Sequence, residues 1–171
     1  MGPLAAVFVD IALHRSGPDR LPSSSFLVGV LLAIYIPVNL LRIYLTGSAS
    51  SSDYGFMLVD TVVFYVFVYG ILRFFGRQRR FLQTASALLG TDILINLIGL
   101  PVSLGGEPAA ETGLAVLLAL VLLALLFWWI DVAGFIIARA VEQPYVAGVM
   151  FVVFYVVAAL AVLDYANPAP S

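Results

Sequence analysis

The chain has 171 residues, 63% of them apolar and 11% charged, with a mean hydropathy of +1.09 and a formal net charge of -2. Soluble domains carry about a quarter charged residues, so this composition excludes an ordinary soluble globule and describes one compact integral membrane domain. The absence of cysteine and a single histidine, His14, exclude disulfides, thiolate nucleophiles, Cys-ligated zinc, iron–sulfur clusters and bis-histidine haem.

The first 24 residues stand apart. Pro3 to Arg15 is apolar but too short to cross a bilayer, and it lacks the basic leading region of a signal peptide. Leu4, Val7, Phe8, Ile11 and Ala12 recur at helical spacing, while Asp10 and His14 share another face at i, i+4. This pattern predicts an interfacial amphipathic helix lying on the cytoplasmic leaflet. Ser16-Gly17-Pro18-Asp19 breaks it, and Leu21-Pro22-Ser23-Ser24-Ser25 leads into the first membrane span.

Apolar runs of about 20 residues then predict five spans: Phe26–Leu45, Gly55–Phe75, Thr84–Leu104, Gly113–Ala138 and Tyr145–Asp164. Turn-rich stretches separate them: the serine-rich 47–53, Gly76-Arg77-Gln78-Arg79-Arg80, Gly105-Gly106-Glu107-Pro108, and Arg139 to Pro144. The fourth span is long enough to tilt or to extend beyond the hydrocarbon. The expected fold is therefore all-α: 1–24 a cytoplasmic interfacial helix and lead-in, 25–166 a five-helix transmembrane bundle, 167–171 a short external tail.

Orientation follows from the arginines, because short loops rich in Arg stay cytoplasmic. Arg15, Arg20, Arg73, Arg77, Arg79, Arg80 and Arg139 fall on one side, and the other side has only Arg42, with acidic Asp53, Glu107, Glu111 and Asp164. The N-terminus is expected inside and the C-terminus outside. Eight arginines, no lysine and abundant Ala, Leu, Val and Gly suggest a GC-rich coding genome, hence a bacterial inner membrane.

The amphipathic N-terminal helix, the segment Gly17-Pro18-Asp19-Arg20-Leu21-Pro22, five spans, and Gln83-Thr84-Ala85-Ser86-Ala87-Leu88-Leu89-Gly90-Thr91 at the start of span three together resemble small bacterial membrane proteins of the YIP-domain type. The resemblance implies a five-helix membrane bundle. Eukaryotic relatives are linked to membrane traffic and small GTPases through a longer cytosolic N-terminal region, which the 24 residues here do not match, and the family transfers no catalytic residues.

Charges inside a span cost roughly 2.5 to 3.5 kcal/mol at the centre on insertion scales, so each invites a partner or a function. At a rise of 1.5 Å per residue, Arg42 lies roughly 5 Å and Asp60 roughly 8 Å from the outer boundary of adjacent spans. They read as an ion pair or as an anion or headgroup site, with Asn39 on the Arg42 face at i−3. Asp92 and Asp131 lie roughly 12 Å and 10 Å from the inner ends of spans three and four by the same rise. Either they face each other and share a proton, as a proton-coupled path requires, or each is hydrogen-bonded separately and fixes packing. Asn96 accompanies Asp92, and Trp128 accompanies Asp131. Arg73, Arg77, Arg79 and Arg80 are candidate lipid headgroup contacts, although topology alone accounts for them. Pro37 and Pro101 are candidate kinks whose freed carbonyls Asn39, Ser103 or water could satisfy. The aromatics of spans two and five read either as packing or as a lipid or quinone surface. Gly90, Ala115, Ala119, Gly134 and Ala138 allow close helix approach, within the chain or to another chain.

No nucleophile, metal set or phosphate-binding motif accompanies the carboxylates, so no enzyme activity and no cofactor are expected. The expected function is to organise partner proteins or lipids, or to serve as a subunit of a membrane complex. The alternative is a small transporter or channel using the mid-membrane carboxylates for proton or cation passage. Expected partners are membrane lipids, other membrane proteins or a second copy, and not nucleic acid.

Overall fold

The computed structural model describes residues 3–45, 51–104 and 113–166. The helices are α1 (Pro3–Ala12), α2 (Ser25–Leu45), α3 (Ser51–Phe74), α4 (Phe81–Leu104), α5 (Gly113–Val141) and α6 (Tyr145–Ala166), with no strand among the described residues. Five of them, α2 to α6, are long and apolar enough to span a membrane. Glu107, Pro108, Glu111, the tail 167–171 and the side chains of Ser103 and Asp164 lie outside what is described.

Local chemistry sets the boundaries. Pro3 occupies the first turn of α1, where its missing N–H costs nothing. The Ser24 hydroxyl accepts the Leu27 N–H at 3.3 Å and caps α2. α1, α3 and α5 each close around a left-handed residue, His14 (φ 58), Gly76 (φ 70) and Glu142 (φ 58), with paired carbonyl bonds at the ends of α1 and α3 and the Gln143 N–H donating to the Ala138 carbonyl at the end of α5. Glycine is the ordinary occupant of that position. Where His14 and Glu142 replace it, each side chain reaches a polar partner on another element, His14 the Asp131 carboxylate and Glu142 the guanidinium groups of Arg77 and Arg80. Pro37 and Pro101 both lie inside continuous helices, and the Asn39 amide donates to the Tyr35 carbonyl at 3.1 Å.

α4 is the central helix, touching α1, α2, α3 and α5. α5 and α6 pack so closely that a Cβ at Gly148 would lie 2.1 Å from the Gly134 carbonyl oxygen and 2.7 Å from the Ala138 Cβ. The small-residue face of Gly134 and Ala138 is thus used within the chain. The amphipathic α1 forms as its pattern predicts, with one difference from a helix resting on a leaflet. Phe8, Ile11 and Ala12 are buried in the core, and Phe8 sits so tightly on Gly90 of α4 that a Cβ there would meet its ring at 2.2 Å. A groove in α4, opened by the missing side chain, competes successfully with lipid for that apolar face.

The packed core gathers in the arginine-bearing half of the bundle. Phe64, Val68, Leu72, Leu89, Val132, Ile136 and Val152 are all buried there. At that end Arg77 and Arg80 (2.6 Å) clamp Glu142 between the α3–α4 and α5–α6 connections, and Arg80 also donates to the Ala140 carbonyl at 3.3 Å. The other half of the bundle is open.

Candidate functional site

In the open half, polar stripes from four helices face one another. α2 presents Tyr35, Asn39 and Arg42 at i, i+4 and i+7, α4 presents Asp92, Asn96 and Gly99 at the same spacing, α3 contributes Asp60, and α5 contributes Trp129. Such spacing keeps each set on one helix face. Together with Ile95 and three α5 leucines they enclose a cavity of about 480 Å³. A second cavity of about 350 Å³ shares Tyr35, Asn39, Arg42 and Asp60 with the first and adds Asp53 and Thr61. α6 completes the ring: the Tyr155 hydroxyl donates to the Asp60 carboxylate at 2.7 Å and to its backbone carbonyl at 3.0 Å.

The lining is held by its own hydrogen bonds. The Asn96 amide donates to the Asp92 carboxylate and carbonyl, both at 3.0 Å. Tyr35 and Thr61 hydroxyls meet at 3.4 Å, and Thr61 donates to the Met57 carbonyl at 2.8 Å. Asn39 is buried, whereas Arg42 is exposed at the mouth. Toward the arginine-bearing end the chamber is closed by aromatic packing, with Phe64 centred 4.9 Å from Tyr155 and 5.7 Å from Trp129. The aromatics of α3 and α6 therefore include a packed floor to this chamber rather than only a lipid-facing surface.

No family model, no curated protein and no solved structure matches the chain. The site has to be read from its own chemistry. Arg42 faces Asp60 and Asp92 across one chamber, with Asp53 near the mouth of its neighbour. One fixed cation against two or three carboxylates, with neutral donors and acceptors between, can hold a small positively charged or zwitterionic group in a low-dielectric setting. Among the described residues no three His, Cys, Asp or Glu side chains converge to hold a metal ion.

Arg42, Asp60, Asn39, Asp92 and Asn96 are thus brought together, in one site rather than two. Asp131 is not with them, and the shared-proton pairing with Asp92 is corrected. Asp131 lies two residues beyond Trp129, about 200° around the helix, so when Trp129 faces the chamber Asp131 faces away. There it accepts from the Tyr145 hydroxyl and lies 3.2 Å from His14 Nε2. His14 stacks on Phe135 at 4.2 Å, and the Trp128 indole donates to the Ala12 carbonyl at 3.2 Å. This cluster fastens the end of α1 to α5 and α6. The equal depth of the two aspartates says nothing about which face each occupies.

Of the arginine cluster, Arg77 and Arg80 are engaged by Glu142, while Arg73 and Arg79 stay exposed. Headgroup contact is thus open to Arg73 and Arg79, and for the other two it competes with an internal acid. Tyr35, Trp129 and Tyr155 are site residues that the sequence alone does not assign to this site. Tyr35 was legible as the start of the 35, 39, 42 stripe. Tyr155 meets a partner 95 positions away and carries no local signal.

Proposed function

We propose that this is a non-enzymatic protein of the bacterial inner membrane, N-terminus cytoplasmic, that takes a small cationic or zwitterionic group into its intramembrane chamber and passes it across, as a small transporter does. The observation that carries this reading is the convergence of four spans on one polar cavity holding Arg42, Asp60 and Asp92, with the fifth joined to it through the Tyr155–Asp60 hydrogen bond. Charges in a membrane are retained where they line a pathway or bind a ligand, and a pure packing role would need no cavity. The chamber is open at the Arg42 end and closed by aromatics at the other, as one state of an alternating carrier would be.

The test is flux in vesicles reconstituted with the purified chain. Dissipation of an imposed pH gradient, read by an entrapped dye, and uptake of labelled ethanolamine should be compared with protein-free vesicles. We expect at least one flux above control, lost in Asp92→Asn and retained in Asp131→Asn. Absence of both fluxes from folded protein would refute transport.

A role in organising partners is supported by a separate observation. Residues 114–127 of α5 include none that is buried, and Leu114, Val116, Leu117, Leu120 and Phe127 are each more than half exposed. A helix this uncovered is a site where a neighbouring membrane protein or lipid packs. Crosslinking from Leu117 in native membranes would test it, a single lipid-only environment being the contrary result.

A further inference from the structure

The polar chamber borders an apolar groove on the bundle surface. Asp60 stands at a junction: it lines both polar cavities and also an apolar groove of about 240 Å³ between α3 and α6. Val59, Val63, Phe154, Ala158 and Val162 form the outer wall of that groove and are exposed on the bundle surface. Asp60 and Tyr155 are its polar members, and the hydrogen bond between them is the partition from the chamber. Phe56 lines both the groove and the second polar cavity. A pathway for a bare ion has no use for an apolar trough meeting its binding site. A polar chamber and an apolar groove that share a wall have the form of an amphiphile.

The charges specify the head of that amphiphile. Arg42 carries five N–H donors in a planar fork that fits a phosphate, more than one neighbouring carboxylate can occupy. Asp60 and Asp92 accept hydrogen bonds and fit an ammonium group. A purely anionic head would meet two carboxylates, and a simple cation would meet Arg42. A head that carries both charges, a phosphate and an amine a few bonds apart, satisfies all three. The chamber volume of about 480 Å³ falls among ordinary small-ligand sites.

We infer that the ligand is a zwitterionic, amine-bearing phospholipid, its phosphate on Arg42, its ammonium between Asp60 and Asp92, and one acyl chain leaving past Asp60 and Tyr155 into the α3–α6 groove. This rests on the reading of the chamber as a ligand site and adds the class of ligand and the second half of the site.

The experiment is calorimetric titration of the purified full chain in non-ionic detergent with three probes: dihexanoyl phosphatidylethanolamine, dihexanoyl phosphatidylglycerol and free O-phosphoethanolamine. Dihexanoyl phosphatidylethanolamine should bind about tenfold or more tightly than either of the others, the worth of one charge-assisted hydrogen-bond pair. Arg42→Gln and Asp60→Asn should each weaken it by about the same factor. Ala158→Phe, which fills the groove from an exposed position outside the core, should weaken the lipid and leave free O-phosphoethanolamine unchanged. Equal binding of the two lipids would overturn the headgroup assignment. Equal binding of the lipid and its free head, or an Ala158→Phe variant that binds lipid normally, would overturn the groove while leaving the chamber as a polar site. If a folded protein bound none of the three, both the inference and the site reading beneath it would fall.

Discussion

Replacing Gly148 with alanine tests the α5–α6 seam on which the closed half of the bundle depends. The new Cβ would lie 2.1 Å from the Gly134 carbonyl oxygen, 2.7 Å from the Ala138 Cβ and 2.8 Å from the Ala138 nitrogen. Non-bonded heavy atoms settle at about 3.5 to 4.0 Å, so the helices would have to part by roughly 1.5 Å at the closest contact. Overpacking of this kind costs about 1 to 3 kcal/mol. Two of the three atoms met are backbone and cannot rotate away, which places this site near 3 kcal/mol on that scale. Alanine gains about 1 kcal/mol over glycine in a helix interior, which leaves a net loss of about 2 kcal/mol. Gly70 in α3 is the matched control, exposed and with nothing within 4 Å of an added Cβ. Its alanine variant should gain up to about 1 kcal/mol, so the two variants should differ by about 3 kcal/mol. Denaturant titration in detergent micelles, followed by helicity, measures both. If Gly148→Ala matched Gly70→Ala, the close crossing at Gly134 would be refuted.

Phe8→Ala should undock α1 while leaving the spans folded. Loss of a buried phenylalanine costs about 3 to 5 kcal/mol, so hydrogen exchange should show protection falling across 4–12 and nowhere else. Glu142→Gln removes the acid that holds Arg77 and Arg80. These pairs are half exposed, so the loss should be at most about 1 kcal/mol and should disappear at high salt, checked by melting in low and high salt. Tyr155→Phe removes the donor to Asp60 at 2.7 Å. A hydrogen bond to a charged group contributes about 1.5 to 3 kcal/mol, and the stability loss should shrink in an Asp60→Asn background, where the charge is gone but the amide oxygen and the Asp60 backbone carbonyl still accept, as a double-mutant cycle would reveal.

Span number and helix boundaries were legible because hydropathy over 20 residues and turn chemistry are local signals. α1 was legible as an amphipathic helix but not in its seat, since the groove at Gly90 is made by a residue more than 70 positions later in the chain. The same limit separates Asp92 from Asp131. Depth follows from counting residues, and the partner at i+4 identified Asn96 correctly, but the face presented to a neighbour depends on helix rotation. Trp129 decides that rotation for α5, and its position in the chamber is a tertiary fact. His14 and Glu142 were invisible as helix caps because sequence rules place glycine at left-handed positions. Each makes a polar contact formed across the fold, His14 with Asp131 and Glu142 with Arg77 and Arg80.

The central claim is that Asn96 and its neighbours line a polar chamber reached from the Arg42 end. The chain has no cysteine, so single introduced thiols can be labelled without background. Asn96→Cys in intact cells should react with a membrane-impermeant methanethiosulfonate, and faster with the cationic reagent than with the anionic one, because carboxylates outnumber Arg42 around the chamber. Val132→Cys, in the buried core at 1% exposure, should not react. An inert Asn96→Cys, or equal reaction at position 132, would contradict the account.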